Sequence, residues 1–148
     1  MTRALGLAVA ATVLLLAGCV APAPTTAAYE AKAGMTADAA VSEVRTALVA
    51  TDAYLHGRMG SAYLETMLVA AEEALGSVQD TFDSVQPPAA AGADSLRDTL
   101  DPLLDDAGSA VTELRIAARR DRDVTLRTTA GDLTGTADEL EAFGKQHR

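Results

Sequence analysis

The stretch LETMLVAAEEALGSVQDTFDSV, residues 64–85, repeats its apolar side chains at alternating steps of four and three residues. The series consists of Leu64, Leu68, Ala71, Leu75, Val78, Phe82 and Val85. This spacing places all of them on one face of an α-helix, which is the pattern of a helix that packs against other helices. The stretch therefore predicts a long amphipathic helix.

Three other stretches show the same period. The first contains Ala37, Val41, Val44, Leu48 and Leu55, with Thr51 in the missing slot; the third contains Ala93, Leu96, Leu100, Leu103, Ala107, Ala110, Leu114 and Ala117; the fourth contains Leu126, Ala130, Leu133, Ala137 and Leu140. Short connections between successive helices make neighbours antiparallel. The sequence predicts an all-α fold, an antiparallel up-down-up-down four-helix bundle over residues 35–148.

The breaks between these stretches contain residues that end and start helices. HGRMGS (56–61) offers Ser61 as a cap, QPPAAAG (86–92) ends a helix with proline, and RRDRD (119–123) offers Asp121 or Asp123 as a cap. Within the third stretch, Pro102 removes a backbone donor, so we expect a kink or break there, with Asp101 capping a restarted helix. These signals set the expected helix boundaries.

The fourth stretch contains unusually many poor helix formers. Gly131 and Gly135 lie beside four threonines, at positions 128, 129, 134 and 136. We expect this helix to be the least stable of the four. Two interpretations are open: the glycines permit close packing against neighbours, which we favour, or the helix detaches to bind something.

Composition limits both the core and the partners. The chain has no Trp and only five aromatic residues, so Leu, Val and Ala must form its core. Its net charge of −9 argues against a nucleic-acid partner, which needs a basic surface. The single cysteine excludes an intramolecular disulfide.

The first nineteen residues, MTRALGLAVAATVLLLAGC, have the layout of a secretory signal peptide: one basic residue, an apolar run and small residues before Cys19. The apolar run is short for a transmembrane helix, which needs about 20 residues. Leu16, Ala17, Gly18 and Cys19 together resemble the lipobox of bacterial lipoproteins. The alternative interpretation is a buried core Cys inside an ordinary signal peptide or a short membrane helix.

The resemblance implies that Cys19 receives a diacylglyceryl group and, as an optional addition, an N-acyl lipid. Cleavage would then remove residues 1–18 and leave Cys19 as the new N-terminus, anchored at the extracytoplasmic face of the cell membrane. Residues 19–34, VAPAPTTAAYEAKAG after the cysteine, are predicted to be a flexible tether, because Pro22 and Pro24 favour extended backbone. The alternative is that Tyr29 packs along the domain.

Residue types that carry chemistry are scarce in the predicted helices. No Glu-x-x-His pair occurs for a di-iron site, and no Cys-x-x-Cys-His occurs for covalent haem. The two histidines, His56 and His147, fall in a predicted turn and in the C-terminal tail. We therefore predict no catalytic residues, no metal site and no cofactor apart from the lipid on Cys19.

Two charge clusters remain as candidate contacts. An acidic stripe on the third helix could contact a divalent cation, but we favour a solvated helix face, because the sequence has no compact calcium-binding loop. It consists of Asp94, Asp98, Asp101 and Asp105. The first and third turns gather Arg58, Arg115, Arg119, Arg120, Arg122 and Arg127 at the end far from the membrane. This cluster predicts a docking face for an acidic envelope protein; helix-dipole compensation and local ion pairs are the alternative.

These features favour a non-enzymatic, lipid-anchored helical bundle that acts as an interaction or scaffolding module at the bacterial cell envelope. The expected partners are the membrane, through the lipid anchor, and an acidic envelope protein. The main alternative is a ligand- or metal-binding lipoprotein that uses the acidic helix face or a cavity between helices.

Overall fold

Four α-helices form the fold in the computed structural model, which describes residues 25–148. They are α1 (Thr26–Leu55), α2 (Ser61–Asp83), α3 (Ala93–Arg119) and α4 (Asp123–Gln146). Over this described range the chain contains no strand. The prediction of an all-α four-helix bundle is confirmed, while the signal peptide and Cys19 lie outside the described residues.

Contacts between side chains show how the helices are arranged. Helix α1 contacts each of the others, and α3 contacts α2 and α4. Between α1 and α4, Arg45 pairs with Glu141 and Asp38 pairs with Arg148, so residue numbers rise along one helix as they fall along the other. Between α2 and α3 the pair of Glu65 with Arg119 and the hydrogen bond of Gln79 to Asp105 give the same order.

The bundle therefore has two ends. We call the end where α1 begins the N-terminal pole; a shared cleft lined by Glu30, Gly92 and His147 places the α2–α3 connection and the C-terminus there. We call the other end, with the connections at 56–60 and 120–122, the distal pole. The arginines predicted to gather at one end lie at or near the distal pole.

Most of the core consists of Leu, Val and Ala side chains, as the composition predicted, and the aromatic rings of Tyr29, Phe82 and Phe143 are buried with them. The second seam is buried apart from Val78, which is partly exposed. In α3 the prediction was wrong at two positions, because Leu104 and Val111 are buried where Leu103 and Ala110 were expected. A straight α-helix has 3.6 residues per turn, so a strict seven-residue repeat drifts off the buried face.

The boundary of the predicted tether was also wrong, because α1 begins at Thr26 rather than after residue 34. The side chain of Thr25 accepts a hydrogen bond from the backbone N–H of Ala28 at 3.1 Å and caps the helix. Tyr29 and Ala33 are fully buried in the core. Residues 26–34 are therefore part of the bundle, and Tyr29 packs along it.

The predicted caps and the predicted break are corrected as well. Helix α2 begins at Ser61 with Gly60 as its N-cap, and α4 begins at Asp123 with Arg122 as its N-cap; neither N-cap residue forms a side-chain capping bond. Helix α3 continues through Pro102, so Asp101 does not cap a restarted helix. The ring of Pro102 is exposed, and packing of α3 against three helices offsets the lost backbone hydrogen bond.

Candidate functional site

Half of the arginine cluster is already engaged in ion pairs within the bundle. Arg58 pairs with Asp52, Arg115 with Glu72 and Arg119 with Glu65; the last two pairs join α3 to α2. These three arginines therefore match the alternative interpretation, local ion pairing, and their charges are largely satisfied.

The other three arginines differ from these. Arg120 and Arg122 lie exposed in the α3–α4 connection, and Arg127 lies exposed on the first turns of α4. None of the three forms an ion pair within residues 25–148. They are the part of the cluster whose charge is open to a partner or ligand.

Glu72 is the centre of a small polar network between α2 and α3. Its carboxylate accepts hydrogen bonds from Arg115 Nε at 2.5 Å and from Thr112 Oγ1 at 2.9 Å. The hydrogen bond from Arg115 is the main cause that lowers the pKa of Glu72, and burial opposes it. The network joins α2 to α3 and pairs the charges of Glu72 and Arg115 with each other, while both side chains stay partly exposed.

The acidic stripe does not converge on a common point. Asp94, Asp98 and Asp105 are exposed, and Asp105 accepts a hydrogen bond from Gln79 Nε2 at 2.6 Å. Across the part of the chain that the structure describes, no group of three or more His, Cys, Asp or Glu side chains could hold a metal ion. The stripe therefore has the arrangement of a solvated helix face.

Asp101 is the unusual member of this stripe. It is half-buried, and its Oδ1 atom is buried without a hydrogen-bond partner. Burial raises the pKa of Asp101, the nearby charge of Arg97 opposes this, and the carboxylates of Asp83, Asp105 and Asp98 add to the rise. The ionised form of this side chain is thus disfavoured in the folded protein.

Arg97 lies at the N-terminal pole and was not singled out by the sequence pattern. Its Nη2 donates hydrogen bonds to the backbone carbonyl oxygens of Val85 at 2.7 Å and of Phe82 at 3.3 Å. Its guanidinium also lies over the Phe82 ring, 5.2 Å from the centroid, and that ring stacks on Tyr29. At the N-terminal pole, Arg97 therefore packs against the stacked rings of Phe82 and Tyr29 and binds the end of α2.

Exposed apolar side chains gather on the face shared by α1 and α2. Met35 and Val49 on α1 and Tyr63 on α2 are each more than half exposed. Two grooves run along this face, one of about 290 Å³ beside Met35 and one of about 390 Å³ beside Val49 and Tyr63. The face was not predicted, because its residues lie outside the seams.

The distal pole holds a cleft between α1 and α4, with a volume of about 470 Å³. It is lined by Leu48, Thr51, Asp52, Leu55, His56, Arg127, Ala130, Gly131 and Thr134. Thr51 was expected only to fill a core slot in the first seam. It is fully buried, yet its hydroxyl has no hydrogen-bond partner.

The same region corrects the interpretation of the glycines in α4. A Cβ atom added at Gly131 or at Gly135 would have no neighbouring atom within 4 Å. Close packing is therefore not the reason for either glycine, and at Gly131 the missing side chain leaves the cleft open. Helix α4 is continuous from Asp123 to Gln146 and is packed against α1 and α3.

Comparison with known proteins gives no relative for this chain: no protein-family model, no curated protein and no solved structure matches it. None of the four described helices is long and apolar enough to cross a membrane.

Proposed function

We propose that this chain is a lipoprotein anchored through Cys19, and that its four-helix bundle is a non-enzymatic interaction or scaffolding module at the extracytoplasmic face of a bacterial membrane. The observation that carries the proposal is the lipobox pattern at residues 16–19, followed seven residues later by the start of a packed helix at Thr26. The N-terminal pole therefore faces the anchor.

The short link to the anchor limits how far the bundle can move from the membrane. Residues 20–25 span at most about 20 Å when fully extended. The distal pole, with the exposed side chains of Arg120 and Arg122, lies at the opposite end of helices about 35 to 45 Å long. These two arginines are the part of the predicted cluster that is best placed to contact an acidic partner away from the lipid surface.

Intact-mass analysis of the membrane fraction tests the anchor. We expect the native chain to have the mass of a protein that starts at acylated Cys19, and we expect Cys19→Ala to lose that species. Val20→Ala, which changes a neighbouring residue outside the lipobox, is the matched control and should be processed normally. An uncleaved chain with an unmodified thiol would contradict the proposal.

Crosslinking in intact cells tests the contact surface. We expect the double variant Arg120→Ala/Arg122→Ala to recover an acidic envelope protein several-fold less well than the native chain. Lys32→Ala removes an exposed cation near the N-terminal pole and should leave recovery unchanged. Equal recovery by both variants would exclude the distal pole as the contact. Arg119 stays unchanged in this test, because its pair with Glu65 contributes to the fold.

A second candidate function, a lipoprotein that binds a small molecule in a cavity between helices, is favoured by one observation. The cleft between α1 and α4 contains a fully buried hydroxyl without a partner, that of Thr51. Buried polar groups in folded proteins are nearly always hydrogen-bonded, and exceptions occur at sites that receive a ligand, an ion or water.

A further inference from the structure

Thr51 differs from most other helical threonines in this bundle. Seven threonines, at positions 36, 46, 66, 81, 99, 128 and 134, donate their hydroxyl hydrogen to the carbonyl oxygen four residues earlier. Thr51 lies near the end of α1, within its last two turns, and forms no such bond, although its side chain is fully buried. A buried hydroxyl without a hydrogen-bond partner destabilises the folded protein. A hydrogen-bonding group on a ligand in the cleft would remove this cost.

The charged residues around the cleft differ in how far they are satisfied. Asp52 pairs with Arg58 at 2.5 Å, which opposes its negative charge, and its other carboxylate oxygen lies 3.0 Å from His56 Nδ1. Arg127 has no ion pair among residues 25–148 and lines the same cleft. Guanidinium groups bind carboxylates with two parallel hydrogen bonds, which combines strength with a fixed orientation. The free cation at the rim therefore favours a carboxylate ligand.

The rest of the cleft is apolar or small. Leu48 and Leu55 come from α1, and Ala130 and Gly131 come from α4. Because Gly131 has no side chain and open space around it, α4 leaves room where a larger residue would fill the cleft. These walls suit a short hydrocarbon or aromatic group attached to the carboxylate.

We infer that the cleft between α1 and α4 binds a small organic monocarboxylate. The carboxylate of this ligand pairs with Arg127, and its apolar group lies against Leu48 and Leu55. An acceptor atom of the ligand receives the hydroxyl hydrogen of Thr51. The inference deepens the second candidate function and rests on it. It does not depend on Cys19, so the mass analysis described above and a binding measurement can fail separately.

The test uses 4-fluorobenzoate as the probe and the full chain purified in detergent. Fluorine NMR reports binding as broadening of the probe signal. We expect saturable broadening with the native chain. Arg127→Gln should abolish it, and Arg122→Gln, an equally exposed arginine outside the cleft, should retain it. Equal broadening with Arg127→Gln would assign the signal to the detergent or to nonspecific contact and would overturn the inference. Absence of broadening with the native chain at millimolar probe would do so as well.

Two variants test the cleft itself. Thr51→Val keeps the side-chain shape and removes the unpaired hydroxyl, so it should make the protein more resistant to thermal unfolding and at the same time weaken probe binding about tenfold. A residue with a purely structural role would not show these opposite effects. Gly131→Leu should fill the cleft and abolish binding while helix content, measured by circular dichroism, is retained. Unchanged binding in Thr51→Val and Gly131→Leu would place the probe elsewhere.

Discussion

The Nε atom of Arg97 in α3 donates a hydrogen bond to the hydroxyl oxygen of Tyr29 in α1, at 3.0 Å. The same guanidinium donates to two carbonyl oxygens at the end of α2, so one side chain joins three helices at the N-terminal pole. Tyr29 lies in the segment that composition assigned to a flexible tether. The contact shows why the bundle includes this segment.

We predict that Arg97→Leu lowers the free energy of unfolding by about 2 kcal/mol, because it leaves the carbonyl of Val85 and the hydroxyl of Tyr29 without their donor. Tyr29→Phe removes only the hydroxyl and should cost about 1 kcal/mol. Urea unfolding followed by circular dichroism measures both. Arg120→Ala, an exposed arginine without an ion pair, is the control and should change stability by less than about 0.5 kcal/mol. Equal effects for Arg97→Leu and Arg120→Ala would show that the contact does not stabilise the fold.

Substituting alanine for glycine should have opposite effects on stability at two positions, one in α4 and one in α1. We predict that Gly131→Ala raises stability by about 0.5 to 1 kcal/mol, because alanine favours the helix and its Cβ would have no neighbour within 4 Å. Gly34→Ala should lower stability by about 1 to 3 kcal/mol, because its Cβ would lie 2.5 Å from the backbone oxygen of His147. Thermal unfolding of the two variants, measured side by side, checks this contrast. If both variants were more stable than the native chain, the backbone at the α1–α4 contact would have to move aside to accept the Cβ at position 34.

Asp101 should destabilise the fold at neutral pH. Its pKa is raised mainly by burial, so the native state favours the protonated form and ionisation costs stability. We predict that Asp101→Asn stabilises the protein by about 1 kcal/mol at pH 7. This advantage should shrink as the pH falls through the raised native pKa, and it should vanish below the ordinary value of 3.8. Urea unfolding from pH 7 to pH 3.5 measures it, and an advantage that does not vary with pH would contradict the assignment.

Ionised Glu72 should stabilise the fold, in contrast to ionised Asp101. Its pKa is lowered, chiefly by the hydrogen bond from Arg115, so its ionised form stabilises the native state above the ordinary value of 4.5. We predict that Glu72→Gln costs about 1 kcal/mol at pH 7, a modest value because the pair is only partly buried. The difference from the native chain should diminish as the pH falls below 4.5. Glu73→Gln, on the adjacent exposed position, is the matched control; a loss as large as that of Glu72→Gln would point to general charge effects.

Much of the fold could be predicted because Leu, Val and Phe at steps of three and four mark a buried helix face. The start of α1 could not be predicted, because alanine occurs in helices, in tethers and in cores alike. Tyr29 was the only residue before position 35 that indicated packing. The buried face of α3 shifted to Leu104 and Val111 because the heptad assumption ignores the true helical pitch. For the candidate site, the sequence showed Thr51 as a polar residue in an apolar slot. The missing hydrogen bond, and the cleft that Thr51 lines, depend on the three-dimensional contact between α1 and α4.

The close approach of α1 and α4 at Gly34 has a practical consequence for handling this protein. Because the backbone of His147 lies against Gly34, the last residues of the chain are held beside the first turns of α1. An affinity tag or fluorescent protein joined to Arg148 would therefore crowd the end from which the chain continues toward Cys19. Insertion in the connection at 56–60 would place the label at the far end and leave both termini in their native surroundings.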